Sequence, residues 1–446
     1  MKRKIDQTEL LQLLLNGSAK DIADIVDTVH PADILDVLHE EPQRTAEILK
    51  HLPNDFIADI IEEEDDEDKY ELIKKFSEPK QKHILKAMDN DEITDLIGEL
   101  DEAESAEVLR KMNKEDQENV RRLMEYDPET AAGIMSTEFI AIHSHNTVMD
   151  TLKFLQSHTD DDTDYYLYVT DPQGYLKGVI SLRHIVSSAF DTPIMDIINP
   201  NVITVHQDDD QEAVAHQFEK YGFIMMPVVD DENQMIGVIS FDDIMEIIQE
   251  ENTEDIHHLG GLNKEERVDS TFKESVNSRL PWLIVNLGTA ILAAFVVSQF
   301  ESTISKVVTL AAIMPIITGM GGNAGTQSMT LIVRGISLEE LTGENAWSVF
   351  RKEVSVGMVD GIVVGMIMGL LAFVFEGNVV FAAIAGIAMF LNMLMANTAG
   401  FVIPVILKKL HIDPALASTV FVTTVTDVLG FFFFLGLATV VLPYIA

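Results

Sequence analysis

The stretch "PALASTVFVTTVTDVLGFFFFLGLATVVLPYIA" (residues 414 to 446) decides the fold of the chain, because it contains one charged residue, Asp427. It is longer than the roughly 20 apolar residues that a helix needs to cross a bilayer. If Pro414 marks the cytosolic end, Asp427 lies about 20 Å along that helix, inside the hydrocarbon layer. An ionised carboxylate there costs about 2.5 to 3.5 kcal/mol, so we expect Asp427 to face a polar cavity, a partner or a passing cation. Thr423 shares its helical face.

Charge divides the chain into two parts that require different solvents. Of the 73 Asp and Glu and 31 Lys and Arg, residues 279 to 446 hold 9 and 7, which leaves 64 and 24 for residues 1 to 278. The first part therefore has a net charge of −40 and the second −2. No nucleic-acid partner is expected. The absence of cysteine agrees with a reducing compartment, and the N-terminus lacks the apolar segment of a secretory signal.

The nearly uncharged part contains five stretches long enough to cross a membrane. They are residues 280 to 300, 307 to 333, 354 to 375, 377 to 407 and 414 to 446. Lys and Arg fall in alternate connections, so the positive-inside rule predicts a cytosolic acidic part and a C-terminus outside. The second stretch contains "GMGGNAGTQS" (residues 319 to 328), where small and polar residues indicate tight helix packing or a cavity. Its Asn323 lies about 15 Å from the cytosolic end, close to the expected depth of Asp427.

Residues 5 to 130 show the apolar spacing of short amphipathic helices. "LPNDFIADII" (residues 52 to 61) and "MDNDEITDLI" (residues 88 to 97) align at an offset of 36 residues, which predicts a helical-repeat superhelix. Asp91 and Asp95 lie on one helical face, where like charges repel unless a cation bridges them; surface solubility is the alternative. The seven acids of residues 62 to 68 are expected to form a solvated helix end or loop.

Residues 134 to 255 contain an internal duplication. "VTDPQGYLKGVISLRHI" (residues 169 to 185) and "VVDDENQMIGVISFDDI" (residues 228 to 244) superimpose at an offset of 59, each predicting strand, acidic turn, strand and helix. This resembles a tandem pair of CBS domains, modules that often bind adenine nucleotides between the two copies. Their ribose-contacting pattern is met by Gly237, Ser240 and Asp243, whereas His184 replaces the acid in the first copy. The sequence leaves open whether ATP binds.

The acidic segment "FDDIMEIIQEENTED" (residues 241 to 255) predicts a helix in which Asp242, Asp243, Glu246 and Glu250 share neighbouring faces. Glu251, Glu254 and Asp255 form an adjacent strip. A solvated linker helix is one interpretation. The other is a helix that contacts the membrane domain and is held there by cations. His257 and His258, which follow, are interpreted as linker residues.

The order of these parts resembles the bacterial MgtE-type magnesium channel family over essentially the whole chain. The motifs are "PIITGMGGNAGTQS" in the second span, "HIDPALAS" before the fifth and "TDVLG" within it. The resemblance implies a multidomain membrane protein: an all-α acidic helical-repeat domain (residues 1 to 130), α/β tandem CBS domains (131 to 255), a connecting plug helix (256 to 279) and a five-span α-helical pore domain (280 to 446).

The resemblance also implies a homodimer whose pore lies on the two-fold axis, lined by the second and fifth spans. The pore carboxylate would be Asp427, with Asn323 and Thr423 as neighbours, and the acid at the cytosolic mouth would be Asp413. Regulatory Mg²⁺ sites in the cytosol would use these acids: Asp91, Asp95, Asp243, Glu246, Glu251, Glu254 and Asp255. One departure is Gly222, where well-known members are expected to carry an acid.

The resulting prediction is a Mg²⁺-selective channel in the plasma membrane, which takes up magnesium down its electrochemical gradient and closes when cytosolic Mg²⁺ binds the acidic domains. An ion-coupled transporter of Mg²⁺ or Co²⁺ is the alternative, and it would use Asp427 with Asp360. The simplest interpretation of Asp360 is pairing with Arg351 or a backbone amide. An anion channel is disfavoured because the spans contain no interior Lys or Arg. No enzyme is expected, because no nucleophile with a base and no phosphate loop is present, and a membrane-anchored sensor without transport remains a rival.

Overall fold

The structure is a computed structural model that describes residues 6–157, 166–264, 266–268 and 270–445. The chain divides into two compact units, Met1–Ile247 and Ile248–Ala446.

The N-terminal unit begins with a series of short helices that form a regular repeat. The helices are α1 (Gln7–Asn16), α2 (Ala19–Thr28), α3 (Pro31–Glu40), α4 (Thr45–Ile48), α5 (Asn54–Glu62), α6 (Asp66–Lys74), α7 (Glu78–Ala87), α8 (Asn90–Gly98), α9 (Glu102–Lys111) and α10 (Lys114–Leu123). From α5 to α10 each helix begins 12 residues after the one before it, so the predicted 36-residue offset equals three helices. The buried apolar faces of these helices, such as Ile57 and Ile61 of α5 and Ile93 and Ile97 of α8, pack into one core. The predicted helical repeat is confirmed.

The duplicated region forms two three-stranded sheets with the same topology. The first contains β1 (Ala141–His143), β2 (Tyr166–Thr170) and β3 (Leu176–Ser181), with α11 (Val148–Ser157) and α12 (Leu182–Ser187). The second contains β4 (Val205–His206), β5 (Met225–Val229) and β6 (Met235–Ser240), with α13 (Gln211–Tyr221). Val169 pairs with Gly178, and Val228 pairs with Gly237, so the 59-residue offset is retained in the strand register.

The two copies are related by a local two-fold axis. Tyr175 of the first copy forms an antiparallel bridge with Gln234, which is its own counterpart at the 59-residue offset. The Tyr168 hydroxyl donates a hydrogen bond to the Met225 carbonyl at 3.1 Å, and Tyr168, Met235 and Val238 share an apolar cluster. The predicted tandem pair is therefore one packed body.

The helix that follows β6 is α14 (Phe241–Gly260), and the first long helix of the second unit is α15 (Phe272–Ser298). Residues 256 to 279, predicted as one connecting helix, are instead the last turn of α14, a loop and the first two turns of α15. The break is a Schellman motif: Gly261 has a φ of 74°, its N–H reaches the His258 carbonyl and the Leu262 N–H reaches the His257 carbonyl. Thr271 then caps α15 with Glu274 as the reciprocal partner.

The remaining helices are α16 (Glu301–Ile304), α17 (Thr309–Ser337), α18 (Ala346–Glu376), α19 (Val379–Lys409), α20 (Pro414–Val440) and α21 (Leu442–Ile445). Among the residues described, four helical segments are long and apolar enough to cross a membrane: Phe272–Ser298, Ala346–Glu376, Val379–Lys409 and Thr419–Val440. The 29-residue α17, which contains the glycine-rich stretch, is not one of them. The count of five spans therefore stays a prediction, while the apolar helical domain itself is confirmed.

Candidate ion pathway and metal sites

Asp427 lies in the middle of α20 and is half-buried. Within the part of the chain that the structure describes, its carboxylate has no hydrogen bond and no ion pair. A structural carboxylate inside an apolar helical bundle would normally be paired, because an unpaired charge there is costly. Asp427 therefore carries the chemistry expected of a residue that binds something other than the protein.

The helices α17 and α20 run antiparallel and in close contact. An added Cβ at Gly325 would lie 2.5 Å from Val422, and one at Gly430 would lie 3.1 Å from Thr318. These two contacts bring Asp427 and Asn323 to within about one helical turn of each other along the pair of helices. Asn323 is exposed, as expected for a side chain outside the packed interface.

Thr423 points its hydroxyl back to its own helix, where it donates to the Thr419 carbonyl at 2.8 Å. This bond satisfies the hydroxyl proton and leaves oxygen lone pairs available on the face shared with Asp427. The structure thus places Thr423 as a neutral neighbour of Asp427, one turn nearer the start of α20.

Asn392 of α19 is a polar residue at this site that the sequence analysis missed. It is fully buried; its Nδ2 donates to the Ile317 carbonyl at 2.9 Å, and its Oδ1 has no partner among the described residues. An added Cβ at Gly321 would lie 2.1 Å from Asn392 Nδ2, and one at Gly430 would lie 2.9 Å from the same atom. The Asn392 side chain therefore lies between α17 and α20. Gly321 in "GMGGNAGTQS" and Gly430 in "TDVLG" were the features of the sequence that could have indicated a tight contact here.

Two further acids lie in α18. Glu353 is buried and was missed; it accepts a hydrogen bond from Ser328 of α17 at 2.8 Å and lies 3.0 Å from the Lys352 ammonium. Asp360 is half-buried, and over the described ranges it forms no pair with Arg351 or with a backbone amide. The simplest interpretation of Asp360, a structural pair, was therefore wrong. Glu353, about two turns earlier, is the acid of α18 that the helix packing uses.

In the N-terminal unit, the structure brings together four acids that were predicted as Mg²⁺ ligands: Asp91, Asp95, Asp243 and Glu246. Loss of hydration raises the pKa of Asp91 well above its usual range, and nearby Asp89 adds to it. Loss of hydration, followed by the charges of Asp66 and Glu92, also raises the pKa of Asp95 to about 8, although Asp95 as a whole residue is exposed to solvent. Crowded carboxylates of this kind gain stability from a bridging cation.

The pKa values of Asp243 and Glu246 are raised in the same way. For Asp243, burial is opposed by hydrogen bonds from Ser240, and for Glu246, burial is reinforced by Asp66. The acids of α8 and those at the start of α14 therefore act on one another electrostatically, although they come from the helical-repeat domain and the second CBS copy.

The acid cluster contains members that the sequence analysis did not predict. Glu62 accepts from the Asp89 N–H at 2.9 Å, and burial raises its pKa to about 8. Lys69 is buried at the centre, 2.5 Å from both Asp66 and Glu92; burial opposes its charge, but these acids raise its pKa. The run of residues 62 to 68, expected to be solvated, thus contributes to the cluster, and Glu64 is buried against His39 at 2.8 Å.

A second acid cluster surrounds the end of α14. Asp413 caps α20, accepting from the N–H groups of Ala415 and Leu416 at 2.8 and 3.1 Å, and its Oδ2 lies 2.8 Å from His258 Nδ1. Burial opposes the charge on Asp413, but the hydrogen bonds from His258 and the backbone lower its pKa. The pair with Asp413 also raises the pKa of His258. His258, interpreted from the sequence as a linker residue, is therefore part of this site.

The predicted ligands Glu254 and Asp255 lie in the same cluster. Glu254 Oε1 is 3.7 Å from His258 Nδ1, and Asp255 accepts from the Ser337 hydroxyl of α17 at 3.1 Å. Burial raises the pKa of Asp255, which the Ser337 bond partly offsets. Two more bonds hold α14 here: Asn252 accepts from Arg334 at 2.9 Å, and the Leu259 carbonyl accepts from Thr419 at 3.2 Å. Glu251 lies on the same helix, one turn before Asp255.

Two groups of side chains, in the portion described, place donor atoms from three residues within 4.8 Å of one another. One is Glu254, His258 and Asp413. The other is His206, Asp208 and Asp231 in the second CBS copy, where both acids are largely exposed. The predicted set of Asp91, Asp95, Asp243 and Glu246 does not reach this closeness among the described residues, so its cation would require a wider, water-containing arrangement.

The predicted nucleotide-contacting residues have structural roles as well. Ser240 and Asp243 hydrogen bond to each other at the start of α14, with the Asp243 N–H donating to Ser240 Oγ at 3.4 Å. An added Cβ at Gly237 would lie 2.5 Å from Met135 Sδ and 2.7 Å from the Ser136 carbonyl oxygen. Gly222 ends α13 with a φ of 64°, which explains a glycine at the position where an acid was expected.

Comparison with known families assigns each part of the chain. The model of MgtE, a divalent cation transporter, matches residues 314–437. The MgtE intracellular N domain matches residues 29–129, and the CBS domain matches residues 131–191 and 194–250.

Curated relatives and the solved soluble part of a magnesium transporter agree with these matches. The magnesium transporter MgtE of Enterococcus faecalis is 37% identical over 320 residues, 72% of this chain and 70% of the relative. That of Bacillus subtilis is 30% identical over 432 residues, 96% of each chain. The structure of the soluble part of a magnesium transporter is 31% identical, covering 55% of this chain and 97% of its own, with a TM-score of 0.52. The cytosolic domain of the Mg²⁺ channel MgtE in complex with ATP is 29% identical, covering 54% and 100%, with a TM-score of 0.49. The chain therefore belongs to the MgtE family of magnesium transporters.

Proposed function

We propose that this chain forms a Mg²⁺-selective channel that takes up magnesium down its electrochemical gradient, with Asp427 as the ion-binding carboxylate of the pore. The observation that carries the proposal is the half-buried Asp427 carboxylate without a protein partner among the described residues, on a helix packed against the glycine-rich α17. In a homodimer, two such carboxylates would face the same pathway. Asn323 and Thr423 would supply neutral oxygens at nearly the same level, and Asp413 would lie at the mouth.

The chemistry of Mg²⁺ favours a carboxylate that binds the hydrated ion. Mg²⁺ keeps a nearly ideal octahedral oxygen shell at about 2.1 Å and loses water slowly, so rapid conduction requires outer-shell contacts. Two carboxylates can hold such an ion through its waters strongly enough to admit it and weakly enough to release it. The orientation follows the distribution of Lys and Arg, with the acidic unit in the cytosol and the C-terminus outside.

The test is Asp427→Asn, which keeps the side-chain shape and removes the charge. We expect it to abolish rescue of a magnesium-dependent bacterial strain and to remove Mg²⁺ currents in bilayers. Asp360→Asn is the matched control, because Asp360 is also half-buried without a partner in the described residues but lies on α18. Normal rescue by well-expressed Asp427→Asn protein would exclude Asp427 as the pore ligand.

An ion-coupled transporter is the alternative, and it is favoured by the unpaired Asp360. Coupling predicts that Mg²⁺ flux depends on a proton or sodium gradient and weakens in Asp360→Asn. A channel predicts currents whose reversal potential follows the Mg²⁺ gradient alone. The same bilayer recording therefore distinguishes the two mechanisms.

We further propose that cytosolic Mg²⁺ closes the pore by binding the two acid clusters. The acidic part carries a net charge of −40 per chain and repels itself. Burial, and after it the charges of neighbouring acids, raises the pKa values of Asp91, Asp95, Asp243 and Glu246. Cations that bridge these acids, and Glu251, Glu254 and Asp255 at the end of α14, would favour the compact closed state. Because the closed state binds more Mg²⁺, high internal magnesium shifts the population towards it.

ATP is proposed as a ligand of the second CBS copy, through Gly237, Ser240 and Asp243. Support comes from the motif alone, and the Ser240 and Asp243 side chains are already engaged with each other. Binding would therefore require the Ser240 hydroxyl or the Asp243 carboxylate to exchange this contact for a ribose hydroxyl. Equilibrium ATP binding should weaken in Asp243→Asn and remain in the adjacent Asp242→Asn; equal binding by both would refute this site.

A further inference from the structure

A groove of about 480 Å³ runs along the contact between α18 and α19. Glycines form its floor, because the two helices approach very closely there. An added Cβ would lie 2.7 Å from the Gly386 carbonyl oxygen at Gly365 and 3.1 Å from the Ala382 carbonyl oxygen at Gly369. The walls are larger apolar side chains that remain exposed: Ile362, Met366, Val379 and Ile387. The close approach of the two helices therefore leaves an open groove with an apolar lining.

The groove lies on helices that stand apart from the proposed ion pathway. The helix α18 packs mainly against α19 and only slightly against α17, whereas α19 packs against both α17 and α20. The helix α18 is therefore at the periphery of the bundle, away from the packed pair that carries Asn323 and Asp427. Both α18 and α19 are long and apolar enough to cross a membrane. Lipid hydrocarbon is therefore the medium next to this groove.

The length of the groove corresponds to one leaflet of a bilayer. Along α19 its lining extends from Val379 to Phe390, which is about 17 Å of helix. The hydrocarbon layer is roughly 30 Å thick, so one leaflet contributes about 15 Å. Val379 is the first residue of α19, so the groove begins at the turn between α18 and α19. A single acyl chain therefore fits along the groove while its head group stays at this turn.

Glu376 ends α18 at the open end of the groove. It comes seven residues after Gly369, which is close to two helical turns, so it lies on the face of α18 that forms the floor. Glu376 is exposed, and its carboxylate has no hydrogen bond and no ion pair within the described residues. Residues 353 to 407 contain no Lys or Arg. A positively charged head group is therefore attracted to this end of the groove, and an anionic one is repelled.

We propose that this groove binds one acyl chain of a phospholipid with an ammonium head group, and that the ammonium pairs with Glu376. Phosphatidylethanolamine has this chemistry, because its primary amine is protonated at neutral pH, whereas phosphatidylglycerol is anionic. The acyl chain covers the glycines of the floor and adds dispersion contacts to both helices. The proposal is independent of the channel function, since neither the groove nor Glu376 belongs to the pathway assigned to Mg²⁺.

The first test measures lipid retention by the purified full-length chain in detergent. Native mass spectrometry follows binding from equal amounts of phosphatidylethanolamine and phosphatidylglycerol with the same acyl chains. We expect one retained phosphatidylethanolamine per chain, preferred roughly 2- to 5-fold, as for one exposed ion pair. Ala383→Phe, at an exposed position of the lining, fills the groove and should lose this lipid. The matched control is Val363→Phe, which should retain it, because Val363 is exposed on the opposite face of α18 from Gly365.

The second test uses Glu376→Gln, which removes the charge but leaves the groove intact. We expect this variant to retain a lipid and to bind the two head groups equally. Equal retention by the wild type and Ala383→Phe would overturn the groove as the binding site, and an unchanged preference in Glu376→Gln would overturn the ion pair. If Ala383→Phe dissociates a dimer that Val363→Phe preserves in size-exclusion chromatography, a second copy of the chain occupies the groove and the lipid proposal fails. Normal conduction by Asp427→Asn would reject the channel assignment and leave the lipid result standing.

Discussion

At the scale of single residues, the contact between Asn392 and two glycines fixes how closely α17 and α20 approach. Gly321→Ala would place a methyl group 2.1 Å from Asn392 Nδ2, so the fully buried amide must move or the helices must separate. Overpacking of this kind typically costs about 1 to 3 kcal/mol. We expect Gly321→Ala to lower the melting temperature of the protein in detergent by several degrees.

The neighbouring Gly322 provides the control, because an added Cβ there meets nothing within 4 Å. Gly322→Ala should leave the melting temperature unchanged or raise it slightly, since alanine favours helix by up to about 1 kcal/mol. Removing the amide in Gly321→Ala/Asn392→Ala should recover much of the loss, because residues in contact behave non-additively. If Gly321→Ala and Gly322→Ala melt alike, Asn392 does not set the helix spacing.

The residue scale also shows what could not be predicted from the sequence. Asp427 stood out because a single charge interrupts an apolar stretch, and the glycine-rich motif of α17 drew attention to Asn323. Three polar residues did not stand out from their sequence surroundings in this way: Asn392, Glu353 and His258. The importance of each depends on a neighbour more than 20 positions away in the chain. Only the folded chain shows that Ile317, Ser328 and Asp413 are those neighbours.

At the scale of secondary structure elements, α14 connects the CBS pair to the membrane unit and ends in a glycine turn. The loop of residues 261 to 271 after this turn contains Lys264 and Arg267, both trypsin sites. If Mg²⁺ binding at the acid clusters docks α14 more firmly, the loop opens less often. Trypsin cleavage there should therefore slow down in millimolar Mg²⁺.

The control for this experiment is a variant that weakens docking without touching the loop. Asp255→Asn removes the charge that Mg²⁺ would bridge but keeps an oxygen for the Ser337 hydroxyl. We expect this variant to be cleaved at the same rate with and without Mg²⁺. An unchanged rate in the wild-type chain across the same titration, with trypsin active on an added substrate, would contradict gating by α14.

Helices and strands were predicted well where the spacing of apolar residues was strongly periodic. The 36-residue offset anticipated three helices per repeat, and the 59-residue offset anticipated matching strands, because each buried face imposes its own spacing. The connecting helix was predicted incorrectly because helix-forming residues on both sides of Gly261 concealed a Schellman turn, which depends on one backbone angle. Acid clusters were predicted only in part, because Glu62, Asp66 and Lys69 join them through the packing of α6 against α5 and α8.

At the scale of the whole molecule, buried acids in the part that carries a net charge of −40 couple stability to pH and to Mg²⁺. The pKa values of Asp95 and Glu62 are about 8 in the folded chain, against 3.8 and 4.5 as their usual values. Between about pH 4 and pH 8 the folded state therefore holds protons that the unfolded state has lost. This contribution to stability is complete below about pH 4 and disappears as the pH rises through about 8.

We therefore expect the melting temperature of the acidic N-terminal unit in Mg²⁺-free buffer to fall as the pH is raised from about 5 to about 8. Mg²⁺ should reverse the fall, because the bound cation compensates the negative charge that appears when the carboxyl groups lose their protons. Asp95→Asn should flatten the pH dependence, whereas Asp36→Asn, at an exposed position of α3, should retain it. The measurement is calorimetric melting of the full-length protein across pH at fixed ionic strength. Two results would contradict this account: a melting temperature that rises over this pH range, or a wild-type pH dependence in Asp95→Asn. Mg²⁺ would then not act by compensating the charge of the acids around Asp95, and the regulatory sites would have to lie elsewhere in the acidic unit.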